Sequence, residues 1–190
     1  KWDFCQVQLN YMDTEEQAGL KGYELTEKKG VPLVIMEPVK GGSLAAFADD
    51  IMEKFHEADP EASAASFALR FVASLPNVKV VLSGMTTMEQ VEDNLKTFNN
   101  FKPLSDREQE IIKEVVDLMN SRIQNGCTGC RYCMPCPAGV KIPECFGAWN
   151  TYHMYQNYNA VKWNWENNIG EEHQPKNCIK CGKCEQACPQ

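Results

Sequence analysis

No apolar run in these 190 residues approaches the roughly 18 consecutive residues that a membrane-spanning helix needs, so no membrane span is expected. Positive charge is short as well: 19 Lys and Arg against 26 Asp and Glu give a formal net charge of −7 and a pI near 5.1. An acidic chain offers no basic face to a phosphate backbone, so nucleic acid is not expected as a partner. Histidine is scarce, with His56, His153 and His173 the whole complement. They are scattered over helical or loop stretches, where a lone histidine is more often a surface or packing residue than a ligand. The hydrophobic fraction of 43% is that of a soluble globular protein.

What the chain does hold is cysteine, ten in all, and eight of them fall in two runs near the end. CTGCRYCMPCP sets Cys127, Cys130, Cys133 and Cys136 before Pro137. CIKCGKCEQACP sets Cys178, Cys181, Cys184 and Cys188 before Pro189. Each run is a C-x2-C-x2-C triplet followed by a further Cys-Pro. A loop wound around a cubane cluster presents a sulfur to a new iron at every third residue, while intervening N–H groups turn inward to the cluster sulfides. Zinc sites use C-x2-C pairs and four ligands in total, and triplets are unusual there. A secreted disulfide framework fits poorly, because cysteines this close rarely bridge each other and no signal-peptide pattern is present. A thioredoxin-like pair explains one C-x2-C and leaves the other cysteines idle. The remaining Cys5 and Cys145 read as buried free thiols.

The cysteine-rich stretch resembles the bacterial two-cluster ferredoxins. That resemblance implies two [4Fe–4S] clusters, one held by Cys127, Cys130, Cys133 and Cys188 and the other by Cys178, Cys181, Cys184 and Cys136. The first run departs from the pattern: C-x2-C precedes its proline, where the family has C-x3-C. Each oxidised cluster with four thiolates adds about two negative charges to an end that is already acidic. Cluster thiols imply a reducing compartment, so a cytoplasmic location is expected.

The first hundred residues alternate. WDFCQVQLN from Trp2 reads as a short strand, and opening on it leads us to expect a piece of a larger domain. A helix is predicted over residues 15–29, stopped by Lys28, Lys29 and Gly30. Residues 31–37 (VPLVIME) read as a strand buried on both faces, followed by a turn at Gly41 and Gly42. Residues 44–57 are helical. Asp59-Pro60-Glu61 is expected to start a further helix with Asp59 as its cap, and Ala65, Leu69 and Val72 as its apolar stripe. Residues 78–82 form a third strand, and Thr87 with Gln90 makes a capping-box start to the next helix. Strands alternating with helices in this way mean parallel strands in a doubly wound sheet or a (β/α) barrel.

Three stretches carry a family resemblance, in the right order along residues 1–100. CQVQLNY, VIMEPVKGGSL and VVLSGMTTMEQVEDNL (from Cys5, Val34 and Val80) resemble the sixth, seventh and last strand-and-loop segments of the aldo-keto reductase barrel. The resemblance implies an α/β fold, the C-terminal part of a (β/α)8 TIM barrel, with NADP or NAD bound at the C-terminal strand ends. On it, Gly84, Met85, Thr86 and Thr87 line the adenosine phosphate, while Gln90 and Asn94 face the adenine. Gln6 bonds the nicotinamide carboxamide, Met36 stands where many relatives stack a tyrosine on the nicotinamide, and Glu37, Val39 and the Lys40-Gly41-Gly42 loop lie along the cofactor. Relatives that prefer NADP often have arginine where this chain has Gln90, so the choice between NADP and NAD stays open.

The family's catalytic acid, with its supporting aspartate, lysine and histidine, lies on early strands that are not among these residues. No tyrosine-lysine-histidine group replaces it, so these residues alone are expected to show no carbonyl reductase activity. Ser105 and Glu108 make a capping box for an amphipathic helix whose buried stripe is Ile111, Ile112, Val115, Val116 and Met119. Between the cysteine runs, residues 137–177 carry Phe146, Trp149, Tyr152, Tyr155, Tyr158, Trp163 and Trp165, several at helical spacing. Helices sheathing the clusters are expected, which resembles the helical ferredoxins fused to larger redox enzymes.

The expected organisation is therefore a barrel part over 1–104, a connecting helix over 105–126 and a mainly α-helical ferredoxin-like domain over 127–190. The expected function is an iron–sulfur oxidoreductase with a nicotinamide nucleotide, a small carbonyl substrate and a possible redox protein partner. Two other classes stand beside it: a non-catalytic ferredoxin-type electron carrier with the barrel as docking scaffold, and a zinc-stapled interaction module.

Overall fold

Runs of β-branched and sulfur-bearing residues place three short strands, β1 (Cys5–Gln8), β2 (Leu33–Met36) and β3 (Val78–Val81). The computed structural model, which describes residues 2–190 with the Ala160 side chain excepted, sets them in the order β1–β2–β3, all parallel. Cys5 pairs with Leu33 and Gln8 with Met36. On the other side Leu33 pairs with Val78 but Val34 with Val80, so Lys79 is the extra residue of a bulge. Alternation sends Cys5, Val7, Leu33 and Ile35 toward the helices, where they join Leu9, Tyr23 and Val72 in one core. Gln6, Gln8, Val34, Met36 and Val80 take the opposite face.

Helices make both crossovers, as parallel pairing requires. Between β1 and β2 runs α1 (Gly19–Lys29), closed by Gly30 at φ 63°. It starts four residues later than the sequence predicts. The chain first turns at Gly19 (φ 50°), where Leu20 N–H reaches Thr14 O at 2.8 Å. A side chain on Gly19 would meet that carbonyl at 2.3 Å, so glycine is required there.

Between β2 and β3 lie α2 (Asp49–Ala58) and α3 (Ala64–Ala73). Asp59 is not the cap of α3. Its carboxylate accepts from Glu61 N–H at 3.1 Å and closes a turn behind α2, and Ser63 caps α3 instead, accepting from Ser66 N–H at 3.0 Å. Nor is α3 striped: Ala65 is half-buried while Ala64, Ser66, Phe67, Ala68, Leu69, Arg70 and Val72 are buried. The sheet lies on one side of it, and on another the Phe67 ring stacks on Phe55 at 4.6 Å. After β3 come α4 (Met88–Asn99) and α5 (Asp106–Ser121). The predicted capping box of α5 is present, with Ser105 N–H to Glu108 Oε2 at 2.7 Å and Glu108 N–H to Ser105 Oγ at 3.3 Å.

The chain divides into two compact units, Lys1–Asp117 and Leu118–Gln190. The second contains α6 (Ile142–Tyr155), α7 (Tyr158–Trp163), a π-helical segment (Asn164–Ile169), short 3-10 turns at Glu171–His173 and Pro175–Asn177, and α8 (Lys183–Ala187). No strand occurs among its described residues. Val140, Cys145, Ala148 and Ile169 form one buried group there, with Cys136, Ala138, Ile142 and Trp165 packed against it, and Met119, Tyr155 and Val161 are buried as well.

Candidate metal centre and strand-end site

All eight cysteines of the two runs line one cavity of about 1170 Å³ in the second unit. The topology of that unit folds the runs onto each other although more than forty residues separate them. Cys127, Cys133, Cys136 and Cys184 are half-buried, and Cys130, Cys178, Cys181 and Cys188 are exposed toward the opening. Burial pushes the Cys133 thiol up, and Cys127, Cys130 and Cys184 push it further by charge, which places a thiol of the second run beside the first. Phe146, Trp149 and Trp165 line the cavity, Phe146 and Trp149 with much of their surface still exposed, whereas Tyr152, Tyr158 and Trp163 are exposed away from it and Tyr155 is buried elsewhere.

The backbone of the two runs matches position for position. In the first, Gly129 and Arg131 flank the second cysteine at φ 70° and 67°; in the second, Lys180 and Gly182 do so at 54° and 72°. Left-handed residues on either side of a cysteine turn successive N–H groups to one side, forming the concave nest that anions and iron–sulfur centres occupy. One such bond is already made, Lys180 N–H to Cys178 Sγ at 3.3 Å. Between third and fourth cysteines the runs differ, α8 filling the longer spacing and a cis Met134–Pro135 peptide the shorter. Lys180 and Lys183 at the cavity wall oppose the negative charge of thiolates.

This donor set fits an iron–sulfur group. Among the described residues no three Cys, His, Asp or Glu side chains converge on a point that a single ion could occupy. A zinc ion needs every ligand within about 2.0–2.3 Å of one centre. The thiols line the wall of one cavity of about 1170 Å³, and a multi-iron group takes its sulfur ligands from such a wall.

The first unit brings together the residues that the sequence places at the strand ends. Gln6 Nε2 donates to Met36 Sδ at 3.3 Å across β1 and β2. Behind them, at the C-terminal ends of these strands, Asn10 is fully buried and its Nδ2 donates to Asp13 Oδ2 at 3.0 Å and to Glu37 O at 3.1 Å. Lys40 Nζ meets both Asp13 oxygens at 2.5 and 2.6 Å. Burial alone would raise the Asp13 carboxyl, but Lys40, Asn10 and Gln8 outweigh it and hold it below the usual carboxylate value. This network fixes the loop after β2, whose Glu37, Lys40, Gly41 and Gly42 all have positive φ. Val39 anchors the same loop through its carbonyl, which accepts from Gly42 and Leu44 N–H.

After β3 the loop of Gly84, Met85, Thr86 and Thr87 is exposed and leads into α4. Thr87 Oγ1 accepts from Gln90 N–H, and Gln90 Oε1 accepts in return from Thr86 N–H at 2.7 Å and Thr87 N–H at 3.3 Å. Thus the amides expected to meet a phosphate are held by Gln90, the residue expected at the adenine. Asn94 Nδ2 donates to Ser83 Oγ at 3.0 Å.

Sequence reasoning missed three features. Arg70, buried in α3, makes a two-pronged pair with Glu108 at 2.6 and 3.0 Å and also donates to Lys102 O at 2.9 Å. A charged residue inside an apolar helix was its only signal. The pair borders a second cavity of about 450 Å³ whose polar walls are satisfied by one another, as by Ser63 Oγ to Asp93 Oδ2 at 2.6 Å. The Asp13–Lys40 network had no spacing to announce it. Cys145, read as a buried free thiol, is buried but also lines the cavity of the other eight.

The sequence model described as "Aldo/keto reductase family" matches residues 1–117, and that described as "4Fe-4S dicluster domain" matches residues 126–190. Comparison with curated proteins gives no match. Among solved structures the chain is similar to the aldo-keto reductase AKR11C1 from Bacillus halodurans. To its apo form it is 19% identical, covering 60% of this chain and 43% of that one at a TM-score of 0.47. To its holo form it is 21% identical, covering 57% and 41% at a TM-score of 0.45. The chain therefore spans about two-fifths of the length of these solved relatives.

Proposed function

The chain belongs to the aldo/keto reductase family, and on that premise we propose that it is the cofactor-binding and cluster-bearing part of an NADP- or NAD-dependent iron–sulfur oxidoreductase acting on a small carbonyl compound. The first unit is read as the closing part of a (β/α)8 barrel over 1–104, the helix within 105–126 as its link onward, and 127–190 as a mainly helical ferredoxin-like domain with two [4Fe–4S] clusters. The observation that carries this reading is the meeting of eight thiols, from two matched nests, around one cavity. Cys127, Cys130, Cys133 and Cys188 would hold one cluster, and Cys178, Cys181, Cys184 and Cys136 the other.

When bound, the nicotinamide moves a hydride and the clusters move single electrons. The residues of this chain supply position. Gln6 offers its amide to the nicotinamide carboxamide, Met36 presents a thioether to the ring, and the Asn10–Asp13–Lys40 network holds the loop of Glu37, Val39 and Gly41 along the cofactor. Gly84, Met85, Thr86 and Thr87 receive the adenosine phosphate at the start of α4, with Gln90 and Asn94 toward the adenine. No group among them is placed as a catalytic acid, so the isolated chain should reduce no carbonyl substrate; measurable turnover by it would sink that part of the proposal.

A second reading, the electron carrier with the barrel part as a docking scaffold, is favoured by one observation: Gln90 already occupies the Thr86 and Thr87 amides. Titration of the cluster-loaded chain with NADPH and NADH separates the two. The oxidoreductase reading predicts saturable nucleotide binding that perturbs Trp or cluster absorption. Absence of binding at millimolar nucleotide selects the carrier.

A further inference from the structure

The cavity holds nine thiols, one more than two four-cysteine clusters use. Cys145 is 7% exposed and sits in the first turn of α6, on the cavity wall with Phe146 and Trp149. Cys136, itself half-buried, packs against the buried group that Cys145 forms with Val140, Ala148 and Ile169. Cys136 is also the cysteine whose spacing from its triplet is one residue short. Two cysteines thus share one side of the cavity where the sequence departs from the two-cluster pattern. The nearest hydrogen-bonding partner of Cys145 Sγ is His173 O at 3.7 Å, a weak thiol contact that a metal–sulfur bond would readily replace.

We infer that Cys145 is a reserve ligand that completes the cluster of Cys178, Cys181 and Cys184 whenever Cys136 does not. The exchange is a ligand substitution without a redox change. An iron–sulfur bond to Cys136 breaks and one to Cys145 forms, while the Cys145 thiol gives up its proton and the departing Cys136 thiolate takes one up. The shortened spacing is tolerated because the fourth position has two candidates.

This rests on the two-cluster reading, and iron and sulfide analysis of the unaltered chain tests that reading separately, since it requires about eight irons per chain. The inference is then tested on variants of the same chain, reconstituted and analysed together. Cys136→Ala and Cys145→Ala should each keep about eight irons, the double variant should fall to about four, and Cys188→Ala should fall to about four on its own. Cys136→Ser in the Cys145→Ala background repeats the comparison with the shape kept, and its reduced-state electron paramagnetic resonance should shift if oxygen becomes the ligand. Loss of a cluster from Cys136→Ala with Cys145 in place overturns the inference, as does a double variant that keeps both clusters. An independent readout leaves Cys136 intact: release of iron to a ferrous chelator should be at least about threefold faster from Cys145→Ala than from the unaltered chain, the extra ligand being lost. Equal release rates contradict the reserve role.

Discussion

In the first unit Phe55, Phe67, Leu69, Leu33 and Ile35 are fully buried around a three-stranded sheet, and backbone groups are paired strand to strand and within helices. In the second unit Val140, Cys145, Ala148 and Ile169 form one small buried group, Met119, Tyr155 and Val161 are buried besides, and short helical turns surround a cavity lined by thiols. Apolar burial at about 25 cal/mol per Å² can hold the first together. A unit as small and open as the second falls in the class that needs a metal, a disulfide or a partner to stay folded. With clusters bound in that cavity, one chain would carry two kinds of cohesion, one written as hydrophobic periodicity and the other as ligand spacing.

Removing the metal should break the comparison most completely. Stripping the clusters with acid and chelator should abolish protection of the amides between residues 127 and 188 in hydrogen exchange, because ligand binding energy there is folding energy. Amides of β1, β2 and α3 should stay protected. Unchanged protection in the second unit would show that its apolar core suffices.

The next effect belongs to the first unit alone. Arg70→Ala leaves the Glu108 carboxylate buried without its partner and should cost about 3–5 kcal/mol in denaturant unfolding. Iron content should not change, and parallel loss of iron would deny the units their separate cohesion. The same pair sets an acid limit. Burial pushes the Glu108 carboxyl up, yet Arg70 and the Ser105 N–H outweigh it and hold it below its usual value. A depressed carboxyl adds stability that is complete above the unfolded value of about 4.3 and is lost as pH falls through the lower folded value. The midpoint of unfolding in the first unit should therefore decline below about pH 4.3, and Glu108→Gln should flatten that decline.

Smallest is the cap of α4. Thr87→Ala should destabilise the first unit by about 1 kcal/mol, as loss of a capping oxygen does, and leave the second unchanged. Thermal unfolding followed by far-ultraviolet circular dichroism checks it, and no change would mean that the Thr87–Gln90 box carries nothing.

What could be read from the sequence follows the same divide. The parallel strands, the Gly30 stop, both capping boxes and the packing of α6 against the cavity came from local chemistry, and each is present. The start of α3 did not, because Asp59 and Ser63 are both competent caps and only the turn behind α2 decides between them. The burial of α3 on nearly all sides depends on neighbours that periodicity does not see, which is why Arg70 passed unnoticed. In the second unit spacing named the eight thiols and their triplets. It could not show that Cys145, more than thirty residues from the second run and close in sequence to the first, would share their cavity. Nor could it show that Gln90 holds the amides of its own phosphate loop, since that side chain can cap a helix or face a ligand with equal ease.

The central claim is that the nine-thiol cavity holds iron–sulfur clusters and that these hold the second unit together. Quantitative iron, zinc and acid-labile sulfide analysis of the purified chain, with its visible absorption, tests it most directly. The account predicts a brown protein with about eight irons and about eight sulfides per chain and no stoichiometric zinc. A colourless, folded protein carrying zinc and no sulfide would contradict it.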